Sequence, residues 1–157
     1  MEQAESPLAN IITLGVRDFA TEREFYQRLR WPQVFDSEEF AVFELRGALL
    51  ALFPIDQLAV DARVQPESGR NGIRFSVIIS VENARQVDEM VRVFREAGGS
   101  VTKDPVDAEF FDGRSAYVAD PEGNYWEIAW AAPGNAVVAA ARRAAGLTRE
   151  PAPRTFS

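Results

Sequence analysis

Two stretches of the chain carry the same succession of apolar and polar positions. Residues 11–16 form a short apolar run, Asp18 stands where a helix cap belongs, and Phe19, Phe25, Tyr26 and Leu29 recur at the spacing of one helix face over 19–29. Trp31-Pro32 ends that helix, because the residue before a proline disfavours helical geometry. Strand-like segments follow at 33–36, 40–45 and 48–53, the last two joined by Arg46-Gly47. A polar, turn-rich connection over 55–71, with a helical turn over 58–62, precedes the second occurrence. That one opens with a strand at 73–81 and a helix at 84–97, whose stripe is Val87, Met90, Val91 and Phe94. Asn83 caps the helix and Gly98-Gly99 ends it. Strand-like segments return at 100–103, 108–111, 115–119 and 125–131, and Asn135 caps an alanine-rich helix over 136–145.

The duplicated order predicts an α+β fold: two βαβββ modules forming a curved, partly closed mixed sheet with helices outside, plus a C-terminal helix. At 157 residues and 46% hydrophobic, the chain fits one domain. Its parts are a first module at 10–54, a linker at 55–72, a second module at 73–132 and a C-terminal helix and tail at 133–157. Sheets of this kind leave a concave interior suited to a small molecule.

Charge narrows the partners. With 24 acidic against 17 basic residues the net charge is -7, which disfavours a phosphate backbone and so argues against nucleic acid. The same charge steers cationic small molecules toward the protein. No stretch reaches the roughly 18 apolar residues of a membrane span and no secretory leader is evident, so the expectation is a cytoplasmic protein without a membrane partner. Histidine and cysteine are both absent. That removes thiolate nucleophiles, cysteine zinc sites and the usual base for activating serine. The glycine pair Gly98-Gly99 ends a helix instead of opening one, so it cannot cradle phosphate.

Several motifs together resemble the glyoxalase, bleomycin-resistance and ring-cleaving dioxygenase superfamily, also called vicinal oxygen chelate. They are Ile-Thr-Leu-Gly-Val-Arg-Asp at 12–18, the Phe25-Tyr26 pair with Leu29 and Trp31, Gly98-Gly99, and Tyr-Val-Ala-Asp-Pro-Glu-Gly-Asn-Tyr-Trp-Glu-Ile at 117–128. The resemblance implies four metal ligands on the inner sheet face, one on each of four strands. In this chain those positions fall on Ile11, Ala51, Ser76 and Glu127, of which only the last retains a ligand type. One carboxylate does not supply the four to six donors a divalent ion needs, so neither a metal nor another cofactor is expected. Strand alternation extends the candidate pocket to Thr13, Phe53, Arg74, Ile78 and Tyr125, with Tyr117 as a hydrogen-bond donor.

Glu127 has two readings. It is a structural remnant paired with Arg74 or Arg114, or it is a site carboxylate for acid-base work or for binding a cationic group. The leading expectation is a metal-free, bleomycin-resistance-like protein that holds a small, partly apolar molecule, including a cationic aromatic one. The alternatives are a metal-independent isomerase or lyase using Glu127 as acid or base, and a non-catalytic dimerising protein with a collapsed pocket. The resemblance also implies a homodimer.

Overall fold

A computed structural model of the chain describes residues 2–3, 8–69, 72–73 and 75–154. β1 (Ile11–Val16) runs into α1 (Phe19–Arg28), which is followed by β2 (Gln33–Asp36), β3 (Ala41–Leu45) and β4 (Ala48–Pro54). α2 (Ile55–Ala62) leads to β5 (Ser76–Ser80), α3 (Ala84–Glu96), β6 (Ser100–Asp107), β7 (Gly113–Ala119), β8 (Tyr125–Ala131) and α4 (Ala136–Ala144). The architecture is α+β, with two βαβββ modules. Each module forms a four-stranded mixed sheet, ordered β1-β4-β3-β2 or β5-β8-β7-β6, and the two do not close into a barrel. In both, the first strand pairs in parallel with the last, which in turn pairs antiparallel with the strand before it.

Local chemistry accounts for the helix starts. Asp18 Oδ1 accepts from the Thr21 N–H at 3.1 Å, Asn83 Oδ1 from the Gln86 N–H at 3.0 Å and Asn135 Oδ1 from the Val138 N–H at 3.0 Å. The period-2 pattern of β8 sends Trp126, Ile128 and Trp130 into the core with Val118 and Ala116 of β7, beneath α3. Phe25, Tyr26 and Trp31 join Phe94 of α3 and Trp126 in an aromatic group that makes one hydrophobic cluster of both modules. No helix among the described residues is long and apolar enough to cross a membrane.

Three segments differ from the sequence expectation. The connection after β4 opens directly into α2, longer than the single turn expected over 58–62. Ile55 and Leu58 of that helix press on β1 at Gly15, where an added Cβ would lie 3.0 Å from Ile55 Cγ1 and 3.1 Å from Leu58 Cδ2. β5 starts at Ser76 instead of residue 73. The segments expected at 100–103 and 108–111 resolve into the single strand β6 and a hairpin loop over 108–112. Pro105 is tolerated inside β6 because the strand lies at the sheet edge and its pairing is interrupted between Lys103 and Val106.

The turn between β7 and β8 is bolted to the first module. Asp120 is buried, and its carboxylate accepts from Tyr26 Oη at 2.8 Å, from the Glu122 N–H at 3.0 Å, and from the Asn124 N–H and Nδ2 at 2.9 and 2.8 Å. Trp126 Nε1 donates to Tyr26 Oη at 3.1 Å. On the other side of the turn the Glu122 carboxylate accepts from the Arg17 N–H at 2.8 and 2.9 Å and from the Asp18 N–H at 2.8 Å, gripping the passage from β1 to α1. Gly123, at φ +82°, supplies the left-handed residue the turn requires.

Glu22 of α1 completes this joint with 0% of its surface exposed. Its Oε1 accepts the Glu122 N–H at 2.9 Å, while Oε2 has no donor near it. Burial first, and then the hydrogen bond and charge of Asp120, push the Glu22 carboxyl up to about 10. The protonated carboxyl is therefore itself a donor, with Asp120 as its acceptor. A carboxyl whose proton is held more tightly in the folded state than at its ordinary 4.5 stabilises the fold fully below that value, and the contribution is lost as pH rises toward about 10. Thermal melts of the wild type should therefore fall steadily between about pH 5 and about pH 9. Glu22→Gln keeps a donor toward Asp120 without a titrating group, so its melting temperature should vary less over that range. Parallel profiles for the two proteins would contradict the protonated assignment.

Candidate functional site

The face of the second sheet turned away from α3 carries a row of residues in register across all four strands. Ile78 of β5 lies opposite Glu127 of β8, Glu127 opposite Tyr117 of β7, and Tyr117 opposite Lys103 of β6. One residue pair to one side, Ser76 faces Tyr125; to the other, Ser115 faces Ala129. This alignment follows from alternation: β8 commits its three bulkiest apolar residues to the core, so Tyr125, Glu127 and Ala129 emerge on the opposite side. Ile78 is 57% exposed, so among the described residues the β5 end of the row is open.

Within the row, Tyr117 Oη donates to Glu127 Oε2 at 3.0 Å. Burial, then the hydrogen bond and charge of Glu127, raise the Tyr117 phenol above its ordinary value, which keeps it a donor. Lys103 Nζ donates to Ser115 Oγ at 2.6 Å and stands 5.0 Å from the centroid of the Tyr117 ring. Arg114, offered by the sequence as a partner for Glu127, lies on the other face and makes a two-pronged pair with Asp88 of α3 at 2.8 and 2.8 Å. Arg74, the other partner offered and a candidate site residue, lies outside the described residues.

The remaining candidates belong to the first sheet. Thr13 of β1 faces Ala51 of β4, which faces Val42, while Ile11 is 63% exposed. Phe53 is half-buried, its ring edge-on to Phe40 at 5.7 Å. No hydrogen bond, ion pair or ring contact among the described residues joins Ile11, Thr13, Ala51 or Phe53 to Glu127. The candidates thus fall into two sets, one on each sheet. Phe110 projects from its hairpin with 91% of its surface exposed.

Two depressions lie away from the Glu127 row. A groove of ≈ 760 Å³ runs between the C-terminal ends of α1 and α3, lined by residues 27–30, Val93, Glu96 and Ala97. A cavity of ≈ 220 Å³ sits at the module seam, between Gly15, Ile55, Phe75, Glu122 and Tyr125. Tyr125 therefore touches both the row and the seam.

The metal implied by the resemblance can be tested on these residues. Ile11 and Ala51 have no side-chain donor, Ser76 brings a neutral hydroxyl, and Glu127 alone brings charge. Among the described residues no group of three or more histidine, cysteine, aspartate or glutamate side chains converges as metal ligands do. The donor set does not fit a divalent ion at this position.

Lys103 and Ser115 are the members of the row that sequence reasoning passed over. A signal existed, because Lys103 is the sole lysine among 17 basic residues. Its place opposite Tyr117 is set by the pairing of β6 with β7, which local spacing does not give.

Residues 9–128 match the Glyoxalase/Bleomycin resistance protein/Dioxygenase superfamily, and the chain belongs to that family. Solved structures agree. A glyoxalase-related enzyme from Fulvimarina pelagi is 28% identical with a TM-score of 0.70, over 78% of this chain and 86% of that one. A glyoxalase/bleomycin resistance protein/dioxygenase from Nocardioides is 22% identical with a TM-score of 0.71, over 85% and 89%. A lactoylglutathione lyase from Agrobacterium tumefaciens is 21% identical with a TM-score of 0.59, over 77% and 91%. These last two likenesses concern the fold alone. A search of curated proteins found no match.

The Tyr117–Glu127 bond is open to direct measurement. In protein carrying ¹³C-labelled tyrosine, the Tyr117 ring carbon should titrate above about 10, the ordinary phenol value. Glu127→Gln removes the charge and should lower that midpoint without returning it fully, since burial remains. An unmoved midpoint would show that the two side chains do not interact in solution.

Proposed function

We propose that this chain binds a small, partly apolar molecule across the open row of the second sheet and does so without a metal. The observation that carries this reading is the Tyr117–Glu127 pair, a phenol and a carboxylate 3.0 Å apart on a sheet face otherwise bordered by Ile78, Tyr125 and Ala129. Aromatic and aliphatic side chains supply contact area, and a few polar groups fix orientation, which is the usual composition of a small-molecule site. Sequestration of the kind practised by bleomycin-resistance proteins needs affinity alone. The exposure of Ile78 speaks against a collapsed face.

A second copy of the chain is the expected cover. Ile11 and Ile78 are more than half exposed on the two sheets, and a homodimer that buried them would also roof the row. Acid-base work by Glu127 uses the same side chain and is separated from sequestration by turnover.

Screening a library of neutral and charged aromatic fragments by ¹H–¹⁵N correlation spectra tests the reading, with light scattering to report the mass of the free and bound states. Binders should perturb Ile78, Tyr117, Tyr125 and Glu127 together, and Glu127→Gln should weaken them about tenfold, the loss of one charge-assisted hydrogen bond, while leaving the melting temperature unchanged. Perturbations scattered over the surface, or affinity indifferent to Glu127→Gln, would contradict it.

A further inference from the structure

The row contains two opposite charges that the protein does not join. Lys103 is half-buried on β6, yet it forms no ion pair among the described residues. The acidic residues nearest to it in sequence are engaged elsewhere: Asp104 with Arg95 at 3.5 Å and Asp107 with Arg154 at 2.9 Å. Its ammonium has three donors, and the structure gives one of them a partner, the Oγ of buried Ser115. The Tyr117 ring beneath it attracts the charge but does not neutralise it. Glu127 is in the mirror situation, with Tyr117 Oη as its one hydrogen-bond partner and no basic partner among the described residues. A half-buried charge without a counter-charge is costly, and a carboxylate with a single donor has lone pairs to spare.

We propose that Lys103 is the anion-recognising residue of this face. The ligand presents a carboxylate or similar anionic oxygen group toward β6 and a hydrogen-bond donor toward Glu127, with its apolar body over Ile78 and Tyr125. This rests on the reading that the row is a small-molecule site, and it names the chemical class that site takes. The register fixes the order of contacts, because Tyr117 separates Lys103 on one side from Glu127 on the other. A ligand with charge or polarity at one end alone satisfies half of the row. The assignment runs against the bulk field of the protein, whose net charge of -7 draws cations. A preference for anions therefore has to come from the site itself.

Three probes of one shape separate the alternatives: 4-hydroxyphenylacetate, its neutral methyl ester, and the cationic 4-hydroxyphenethylamine. Each is titrated by ¹H–¹⁵N spectra into the wild type, Lys103→Met and Lys103→Arg, with melting curves to verify that the variants fold. The acid should bind tightest and perturb Ile78, Tyr117 and Glu127. Lys103→Met should weaken it by about tenfold or more, the scale of one charged contact, and Lys103→Arg should restore most of the loss. The ester should be weak and indifferent to both substitutions. If the acid binds the row equally well in wild type and Lys103→Met, or if the amine binds it better than the acid, the Lys103 assignment is overturned while the site itself stands. If none of the three perturbs the row, the small-molecule reading fails and this inference with it.

Discussion

The fold turns on one buried carboxylate. Asp120 begins the turn into β8, and four donors from α1 and from the turn itself converge on it, with Tyr26 reaching across from the other module. Hydrogen bonds to a buried charge are among the stronger ones in proteins, and leaving such a group unpaired costs several kcal/mol, so the turn has little freedom to shift. Its neighbour Glu122 grips the N–H groups of Arg17 and Asp18, so the exit of β1 and the entry to β8 are fixed by one another. Everything on β8 inherits that registration. A shift by one residue would turn Trp126, Ile128 and Trp130 outward and bury Glu127. The core and the candidate face are two sides of the same constraint.

The carboxylate on the open side of β8 has different company from the one at its start. Glu127 meets a phenol, an isoleucine across the sheet and, beyond the phenol, a lysine. These groups donate, accept and carry charge. They do not assemble a ligand sphere, because two of the corresponding positions in the first sheet are isoleucine and alanine. The family's scaffold is retained, and on the reading proposed above the second module offers hydrogen bonding and charge in place of coordination.

Much of this was legible in the chain itself. The duplicated order of elements, the three helix caps and the division of β8 into a core face and an open face all follow from spacing, because they depend on neighbours close in sequence. What escaped depends on distant ones. Glu22 falls on the apolar stripe of α1 between Phe19 and Tyr26, yet its protonated state exists through Asp120, 98 positions along the chain. Lys103 lies on an expected strand, but its company, Tyr117 and Ser115, comes from the neighbouring strand and depends on pairing. α2 was underestimated because its stability comes from Ile55 and Leu58 seated against Gly15, a tertiary contact. The candidate residues divide between two sheets because alternation assigns faces but does not place one sheet against the other.

On the proposed reading, the Glu127 row takes its ligand without a metal. The most direct measurement is elemental analysis of the purified chain, before and after chelation, paired with melting curves in the presence of zinc, nickel, manganese and magnesium. The expected result is only trace metal, removed by chelator, and a melting temperature that these ions leave unchanged in both the wild type and Glu127→Gln. Near-stoichiometric metal that resists chelation, with a melting temperature raised by the ion in the wild type and not in Glu127→Gln, would contradict it.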